Sequence, residues 1–362
     1  MLVHKSRVHA LRWWGMAILA GIMVLMATGA GRAAGLEEPS RVYGPVTLHY
    51  TGKIDGKSPH QMEITIEGDK VTGAYWYDSV GTEISLAGSL RAGKISMTET
   101  TADGKVTGRF TGELDPLKSS WQGTWTSGDG KRSLPFELIA VAEIVKSTER
   151  RLGHIDVTVA RPIFHSSARL GEVDALQSLV DARAWRAARG MVSDDLQEFG
   201  LFEPEEDWFF FAADAQMRIW YCSENLISIM QNTFLYTGGA HGMYFTWPLN
   251  LAIDADGPRE FSLCDMFIAG TGWLEKLSDY VIKSLRSQGA SGVLSGEITA
   301  LDEEMLARFA VGPVGLDFYF APYDVGAYAE GTYHVRVAWS ALKGLVDMGG
   351  PAAPVAAGAR AN

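Results

Sequence analysis

Cysteine is almost absent from this chain: 362 residues include only Cys222 and Cys264. A fold held together by many disulfides is therefore excluded, and no Cys-x-x-Cys pair is present to bind zinc. Basic residues are also few, since 32 Lys and Arg face 43 Asp and Glu and the formal net charge is −11. Nucleic-acid binding depends on clustered Lys and Arg, so this charge disfavours it. An acidic surface fits a cationic partner or simple solubility.

Long apolar runs are missing except near the N-terminus. Residues 15–30 are apolar apart from Thr28, they follow Lys5, Arg7 and Arg12, and a small-residue site ends at Ala33. This order is typical of a secretory signal, and the run is shorter than the roughly 20 residues of a spanning helix. We therefore expect residues 1–33 to be a cleaved signal peptide and the protein to be periplasmic or secreted. Retention of the segment as an anchor is the alternative.

Catalytic motifs are missing as well. The sequence contains no Gly-x-Ser-x-Gly elbow, no Gly-rich phosphate loop and no His-x-x-x-His or His-Glu-x-x-His pair. Ser340 and Lys343 have the Ser-x-x-Lys spacing of penicillin-binding enzymes, but the accompanying Ser-Asp-Asn and Lys-Thr-Gly motifs are absent. The sequence thus indicates no enzyme, no cofactor and no metal.

Short alternating runs fill residues 42–141. In Val46–Tyr50 and Met62–Ile66, apolar residues stand at every second position, the period of a strand buried on one face. Turn residues such as Asp55-Gly56 separate the runs. We predict an antiparallel β-barrel or meander of about eight strands. Its lumen is either filled by side chains or open for one small ligand, and an open lumen would be lined by Trp76, Trp121 or Trp125.

The pattern changes after residue 142 to a mixture of helical and strand-like segments. We predict an α+β domain over 154–347, with a twisted antiparallel sheet and helices packed against it. The tail, 349–362, is rich in Pro, Ala and Gly and is expected to be disordered. The expected helices are 172–188, 273–289 and 339–346, and the expected strands are 217–222, 226–230, 249–253, 316–320 and 333–337.

Four segments of the second domain carry a family resemblance: Tyr236–Gly242, Ile253–Gly257, Phe261–Phe267 and Gly315–Gly331. Together they resemble the extracellular domain of the RsiV family of lysozyme-sensing anti-sigma factors. A domain of the same kind precedes the catalytic module of PdaC-type peptidoglycan deacetylases. The resemblance covers about 154–347 and implies non-catalytic recognition of a lysozyme-like or peptidoglycan-related partner in the cell envelope. Signalling to a sigma factor is not implied, because the expected cleavable signal and a β-rich module stand where that family has its sigma-binding segment and spanning helix. That module resembles lipocalin-like or avidin-like barrels.

Four residues in these segments are candidate binding residues: Tyr236, His241, Tyr323 and Tyr328. His241 lies in a glycine-rich turn, where its imidazole either contacts a partner or bonds a nearby carbonyl. The tyrosines form either an exposed aromatic surface or packing between the last strands. The leading function is recognition of an envelope-associated partner, with a cationic lysozyme-like hydrolase as the most concrete candidate. The alternative is a small-ligand or glycan carrier that uses the barrel lumen.

The two cysteines are a candidate disulfide. An oxidising envelope favours pairing of Cys222 with Cys264, and both follow predicted strands that could meet in one sheet. Two buried thiols are the alternative outcome.

Overall fold

The computed structural model describes residues 45–115, 119–151, 155–165, 170–198, 211–236 and 240–358. They form two compact units, the first mainly from residues up to 143 and the second mainly from residues 144 onward. The predicted signal peptide, 1–33, lies outside the described residues. In the part of the chain that is described, no helix is long and apolar enough to span a membrane.

The first unit is an eight-stranded antiparallel barrel, which confirms the predicted fold. Each strand pairs with the next along the chain, and the first strand also pairs with the eighth to close the sheet. The chain turns sharply between strands at residues with positive φ such as Gly56 and Gly68. The strands are β1 (Val46–Ile54), β2 (Ser58–Glu67), β3 (Lys70–Tyr77), β4 (Ile84–Arg91), β5 (Lys94–Thr100), β6 (Val106–Asp115), β7 (Ser120–Ser127) and β8 (Ser133–Arg151).

Side chains fill the barrel lumen. Every second residue of a strand points inward, and the inner set includes the fully buried Met62, Tyr75, Phe110 and Trp121. Trp121 Nε1 donates to Tyr50 Oη across the interior at 2.8 Å. The described side chains therefore form a packed core in the lumen rather than lining an open channel.

One predicted lumen residue, Trp76, lies on the other face of its strand. Tyr75 points inward with the core, so the pleat turns its neighbour Trp76 outward, next to the His49 ring at 6.1 Å. A glycine in the same strand is required by close packing. A Cβ on Gly73 would lie 2.0 Å from the Glu63 carbonyl oxygen, so only glycine fits there, and Tyr75 two residues later fills the interior.

One end of the lumen is polar. Glu99 is buried there, and it accepts hydrogen bonds from Tyr75 Oη and, at 3.0 Å, from Trp125 Nε1. His60 is 1% exposed; its Nδ1 lies 3.2 Å from the Ser58 carbonyl oxygen, and its Nε2 has no hydrogen-bond partner among the described residues. Burial lowers the pKa of His60 to about 4. This end of the lumen therefore holds a neutral imidazole and the hydrogen-bonded Glu99.

The described residues of the second unit form strands in two sheets. The strands are β9 (Ile155–Phe164), β10 (Phe211–Cys222), β11 (Leu226–Tyr236), β12 (Met243–Thr246), β13 (Leu249–Asp254), β14 (Gly257–Glu260), β15 (Phe309–Val311), β16 (Gly315–Phe320) and β17 (Tyr333–Ala338). In the first sheet, β9 pairs in parallel with β10, β10 with β11 antiparallel, and β12 and β13 both join β11. The parallel pair departs from the predicted antiparallel sheet because the chain crosses over between its strands through a long helix, as parallel strands require. The second sheet has the order β15, β16, β17.

Helices cover parts of the second unit. The first begins where expected and continues past residue 188, while the second matches its predicted range and ends at Gly289 with φ 91°. Residues 339–346, predicted as a helix, form turns, and a short helix stands in the tail that was expected to be disordered. The helices are α1 (Val173–Glu198), α2 (Trp273–Gln288), α3 (Ser291–Leu294) and α4 (Ala353–Gly358), with 3₁₀ turns η1 (Cys264–Met266) and η2 (Tyr328–Glu330).

A buried polar group joins the two sheets of the second unit. Ser228 Oγ donates to Asn250 Oδ1 at 2.7 Å, and Asn250 Nδ2 donates to the Phe309 carbonyl oxygen at 2.8 Å. The Val311 N–H donates to both Ser228 Oγ and Asn250 Oδ1 at 3.1 Å. Each of these buried groups has a hydrogen-bond partner, so the two sheets are joined without leaving one of these polar atoms unpaired.

Candidate functional site

Three of the four predicted binding residues meet in one cluster. The rings of His241 and Tyr328 are stacked with centroids 3.9 Å apart and planes 22° apart, and Tyr323 lies 5.5 Å from Tyr328. We call His241, Tyr323 and Tyr328 the aromatic surface. Tyr323 is 61% exposed, and His241 is exposed as well. His241 is more than eighty positions from both tyrosines in sequence, so the fold brings the imidazole and the tyrosines together.

The two segments of the aromatic surface are joined by a hydrogen bond. Tyr328 Oη donates to the Gly242 carbonyl oxygen at 2.8 Å. His241 Nδ1 lies 3.3 Å from the same oxygen, which agrees with the expectation that the imidazole meets a nearby carbonyl. A Cβ on Gly242 would lie 2.2 Å from the Phe234 ring, so glycine is needed for this backbone position. The stacked pair is therefore held by its backbone as well as by ring contact.

The backbone of Tyr323 is strained. Its φ is 77°, in the left-handed region that disfavours residues with a Cβ. A bulky non-glycine residue in this conformation costs on the order of 1–3 kcal/mol and persists where the surroundings determine it. The ring is nevertheless mostly exposed, so burial of Tyr323 repays little of this cost. A tyrosine held outward at such a position is typical of a functional site.

Two carboxylates shape the loop that carries Tyr323 and Tyr328. Glu330 accepts from the Ser291 N–H at 3.1 Å, the Ala327 N–H at 3.0 Å and Tyr333 Oη at 2.6 Å. These hydrogen bonds, with Ser291 and then Tyr333 as the main donors, lower the pKa of Glu330 to about 2. The loop is thus fixed by an ionised side chain at neutral pH.

Asp324 anchors the other side of this loop. It accepts from Arg308 Nη2 and, at 2.5 Å, from the Ala321 N–H. Burial raises the pKa of Asp324, while the Arg308 charge opposes this shift. The Arg308 guanidinium also lies over the Trp247 ring, 5.2 Å from its centroid.

Tyr236, the fourth predicted residue, is half-buried at the end of β11, opposite Ala212 of β10. The ring contacts of the aromatic surface belong to the other three residues. An exposed aromatic that sequence reasoning missed is Tyr244 of β12, which is 54% exposed and packs on Phe234 at 4.9 Å. The strand alternation around Tyr244 was too short to reveal it.

Sequence reasoning also missed an ionic cluster on β16 and β17. Asp317, whose side chain is 1% exposed, accepts from His334 Nε2 and from Arg336 Nε, each at 2.7 Å. Arg336 adds a second bond from Nη2 at 3.3 Å, and the Tyr319 ring stacks on His334 at 5.0 Å. Asp317 and Arg336 are register partners, so the pairing of the two strands places the groups side by side.

The candidate disulfide is not formed. Cys222 is buried at the end of β10, whereas Cys264 is exposed in η1, with its sulfur 3.2 Å from Ser262 Oγ. Burial raises the pKa of the Cys222 thiol to about 12, so this group is protonated and unreactive at neutral pH. Among the described residues, no three His, Cys, Asp or Glu side chains form a group that could hold a metal ion.

Part of the second unit matches a known protein family. Residues 264–340 match the family described as "Protein of unknown function (DUF3298)". The match includes Tyr323, Tyr328 and the Asp317 cluster but not His241. Over 132 residues the chain is 28% identical to "Peptidoglycan-N-acetylmuramic acid deacetylase PdaC" of Bacillus subtilis (strain 168), covering 36% of this chain. That match spans only 28% of the relative's length.

Two solved structures of DUF3298 family proteins are also similar. One, from Pseudomonas aeruginosa PAO1, is 16% identical with a TM-score of 0.41 and covers 57% of this chain and 93% of its own. The other, from Bacteroides fragilis NCTC 9343, is 17% identical with a TM-score of 0.35. This match covers 61% of this chain and 96% of the other chain. The predicted resemblance is thus confirmed as similarity to DUF3298 and to part of PdaC. The closer likeness to the RsiV family, and that of the barrel to lipocalins or avidins, stay predictions.

Proposed function

We propose that this chain is an exported, non-catalytic binding protein of the cell envelope. On this proposal the second unit recognises a cationic protein, of which a lysozyme-like hydrolase is the most concrete example, through the aromatic surface. The observation that carries the proposal is the exposed, strained Tyr323 beside the stacked His241 and Tyr328. Aromatic anchors fixed on a rigid loop are typical of binding hot spots.

Charge supports the choice of a cationic partner. The whole chain has a formal net charge of −11, and loss of residues 1–33 would remove four basic residues and no acidic ones. A net negative protein attracts a basic partner over long distances and accelerates their encounter. This attraction is not specific, so the aromatic surface must supply the discrimination.

Similarity to PdaC supports the envelope setting. That relative is named as a peptidoglycan-N-acetylmuramic acid deacetylase, so its substrate is a component of the cell wall. A peptidoglycan-related ligand is therefore the other partner to be tested. The carrier alternative is less favoured, because side chains of the described residues fill the barrel lumen.

The decisive experiment is a calorimetric titration of the protein with lysozyme and, separately, with an unrelated basic protein of similar size. We expect tighter binding of lysozyme. Association with lysozyme, followed separately by stopped-flow fluorescence, should slow at higher salt because screening weakens steering beyond roughly 10 Å. Tyr328→Ala should weaken lysozyme binding by about 2 kcal/mol, as for a hot-spot residue. Tyr280→Ala, which removes an exposed tyrosine of α2, is the matched control and should change little. Equal affinity for both basic proteins, or no binding, would contradict the proposal.

Export is tested separately by intact-mass measurement. We expect the protein isolated from its own cells to begin near Ala34, because the small-residue site ends at Ala33. A mass that still includes residues 1–33 would rule out cleavage at this site.

A further inference from the structure

The ring of Tyr244 continues the aromatic surface onto β12. Tyr244 is the cross-strand partner of Phe234 in β11, and the two ring centroids are 4.9 Å apart. The Phe234 ring packs in turn against the backbone of Gly242, where a Cβ would lie 2.2 Å from the ring. The Gly242 carbonyl oxygen is the group that accepts the Tyr328 hydroxyl at 2.8 Å. A continuous series of contacts therefore leads from Tyr244 to the stacked pair of the aromatic surface.

The two ends of this series are mostly exposed. Tyr244 is 54% exposed at one end and Tyr323 is 61% exposed at the other, whereas Phe234 and Tyr328 between them are half-buried. The Tyr244 hydroxyl makes no hydrogen bond with the described residues. Exposed apolar residues that stand singly are ordinary, but a contiguous group of them marks an interaction site. We call Phe234, Tyr244 and the aromatic surface together the extended aromatic surface.

The charge beside these rings favours a cationic partner. Glu330 stands in η2 with Tyr328, and its carboxylate is exposed and ionised at neutral pH. This carboxylate forms no ion pair with the described residues, whereas that of Asp324 on the same loop is paired with Arg308. The faces of tyrosine rings also attract cations, and arginine more often than lysine. Arginine and lysine side chains of a partner therefore find complementary groups here.

We propose that the extended aromatic surface is one docking surface for a folded basic protein, and that Tyr244 contacts this partner. The exposed rings at its two ends stand on separate segments, β12 and the loop that carries Tyr323. A partner must therefore present a surface that reaches both segments, as a folded protein does. Covering the exposed rings removes apolar area from water, and the basic side chains at the partner's surface meet Glu330. This inference rests on the proposed function, because it names a further contact residue of the same site.

The test measures lysozyme binding to the full chain and to variants of it by calorimetry. Tyr244→Ala should weaken binding about tenfold or more, as expected for an aromatic contact residue. Tyr244→Phe keeps the ring and loses only the hydroxyl, so its affinity should stay within about twofold of the parent. Tyr280→Ala removes an exposed tyrosine of α2, outside this series of contacts, and should also stay within about twofold.

Tyr244→Lys supplies a second variant that keeps a long side chain and places a positive charge where the basic partner docks. Lysozyme binding should weaken in this variant as well, because like charges repel, while thermal unfolding of each variant shows whether the fold is kept.

The outcomes separate this inference from the proposed function. Binding of lysozyme by the parent that is unchanged in Tyr244→Ala and Tyr244→Lys would overturn the inference and leave the proposed function standing. Equal losses in Tyr244→Ala and Tyr280→Ala would overturn it too, because the effect would then not belong to this surface. No binding of lysozyme by the parent would contradict the proposed function, and this inference with it.

Discussion

The two units use the same residue types in opposite ways. In the barrel, Tyr75 and Trp121 point into a lumen where their polar atoms are hydrogen bonded to Glu99 and Tyr50. In the second unit, Tyr323 and Tyr328 stand on a loop, with Tyr323 held outward at a backbone cost. An aromatic residue inside a closed sheet stabilises the fold because its apolar surface is buried, whereas an exposed one on a strained loop contributes little to stability. The number of aromatic residues in a sequence therefore indicates function only once it is known whether each side chain points into the core or out to solvent.

The largest effect is expected from the barrel interior. Trp121→Ala should lower the free energy of unfolding by about 3–5 kcal/mol, because it leaves a cavity and removes the hydrogen bond to Tyr50. Urea denaturation of the full chain followed by circular dichroism measures this change. Tyr244→Ala, at an exposed tyrosine of the second unit, serves as the control and should cost less than about 1 kcal/mol. An equal loss of unfolding free energy in the two variants would contradict the claim that aromatic residues stabilise the barrel more than they stabilise the surface of the second unit.

The stability of the barrel should depend on pH through the buried His60. Its folded pKa of about 4 lies below the unfolded value near 6.5, so the unfolded chain binds the proton first as pH falls. Stability from this group is complete above pH 6.5 and is lost between pH 6.5 and 4, by about 3 kcal/mol. Unfolding measured across this window should be less pH-dependent in His60→Leu than in the parent. His241→Gln, at an exposed imidazole, should keep the parental dependence, and a flat parental profile would refute the prediction.

The smallest effect concerns the backbone of Tyr323. Tyr323→Ala removes the ring but keeps a Cβ at φ 77°, whereas Tyr323→Gly removes both. The glycine variant should therefore be more stable than the alanine variant by about 1 kcal/mol, while both lose lysozyme binding to the same extent. Thermal unfolding and the titration above provide the two readouts. A glycine variant no more stable than the alanine variant would show that the loop carries no strain.

Strand periodicity predicted the barrel because its eight strands alternate regularly and are separated by glycine turns. Helical spacing misled at residues 339–346, where Leu342 and Leu345 are buried as expected but Gly344 has a φ of 81° and interrupts the helix. The parallel pairing of β9 with β10 was missed, because no local pattern records which strands a long helix connects.

The candidate site was predictable only in part. His241, Tyr323 and Tyr328 were found through motifs, but their ring contacts depend on how two distant loops meet. Asp317 and Arg336 were missed although β16 and β17 were both predicted as strands. Their contact follows from the register of these strands, which single-strand patterns do not contain. Charged residues inside two adjacent strands are the signal that could have revealed the pair.

The polar group of Ser228 and Asn250 has a consequence for self-association. β15 is an edge strand, and the backbone groups of Phe309 and Val311 face away from β16. An open edge of this kind can recruit a strand from another molecule and begin aggregation. Here the side chains of two other strands take two of these outward groups, the Phe309 carbonyl and the Val311 N–H. An incoming chain would therefore find part of this edge already occupied by side chains.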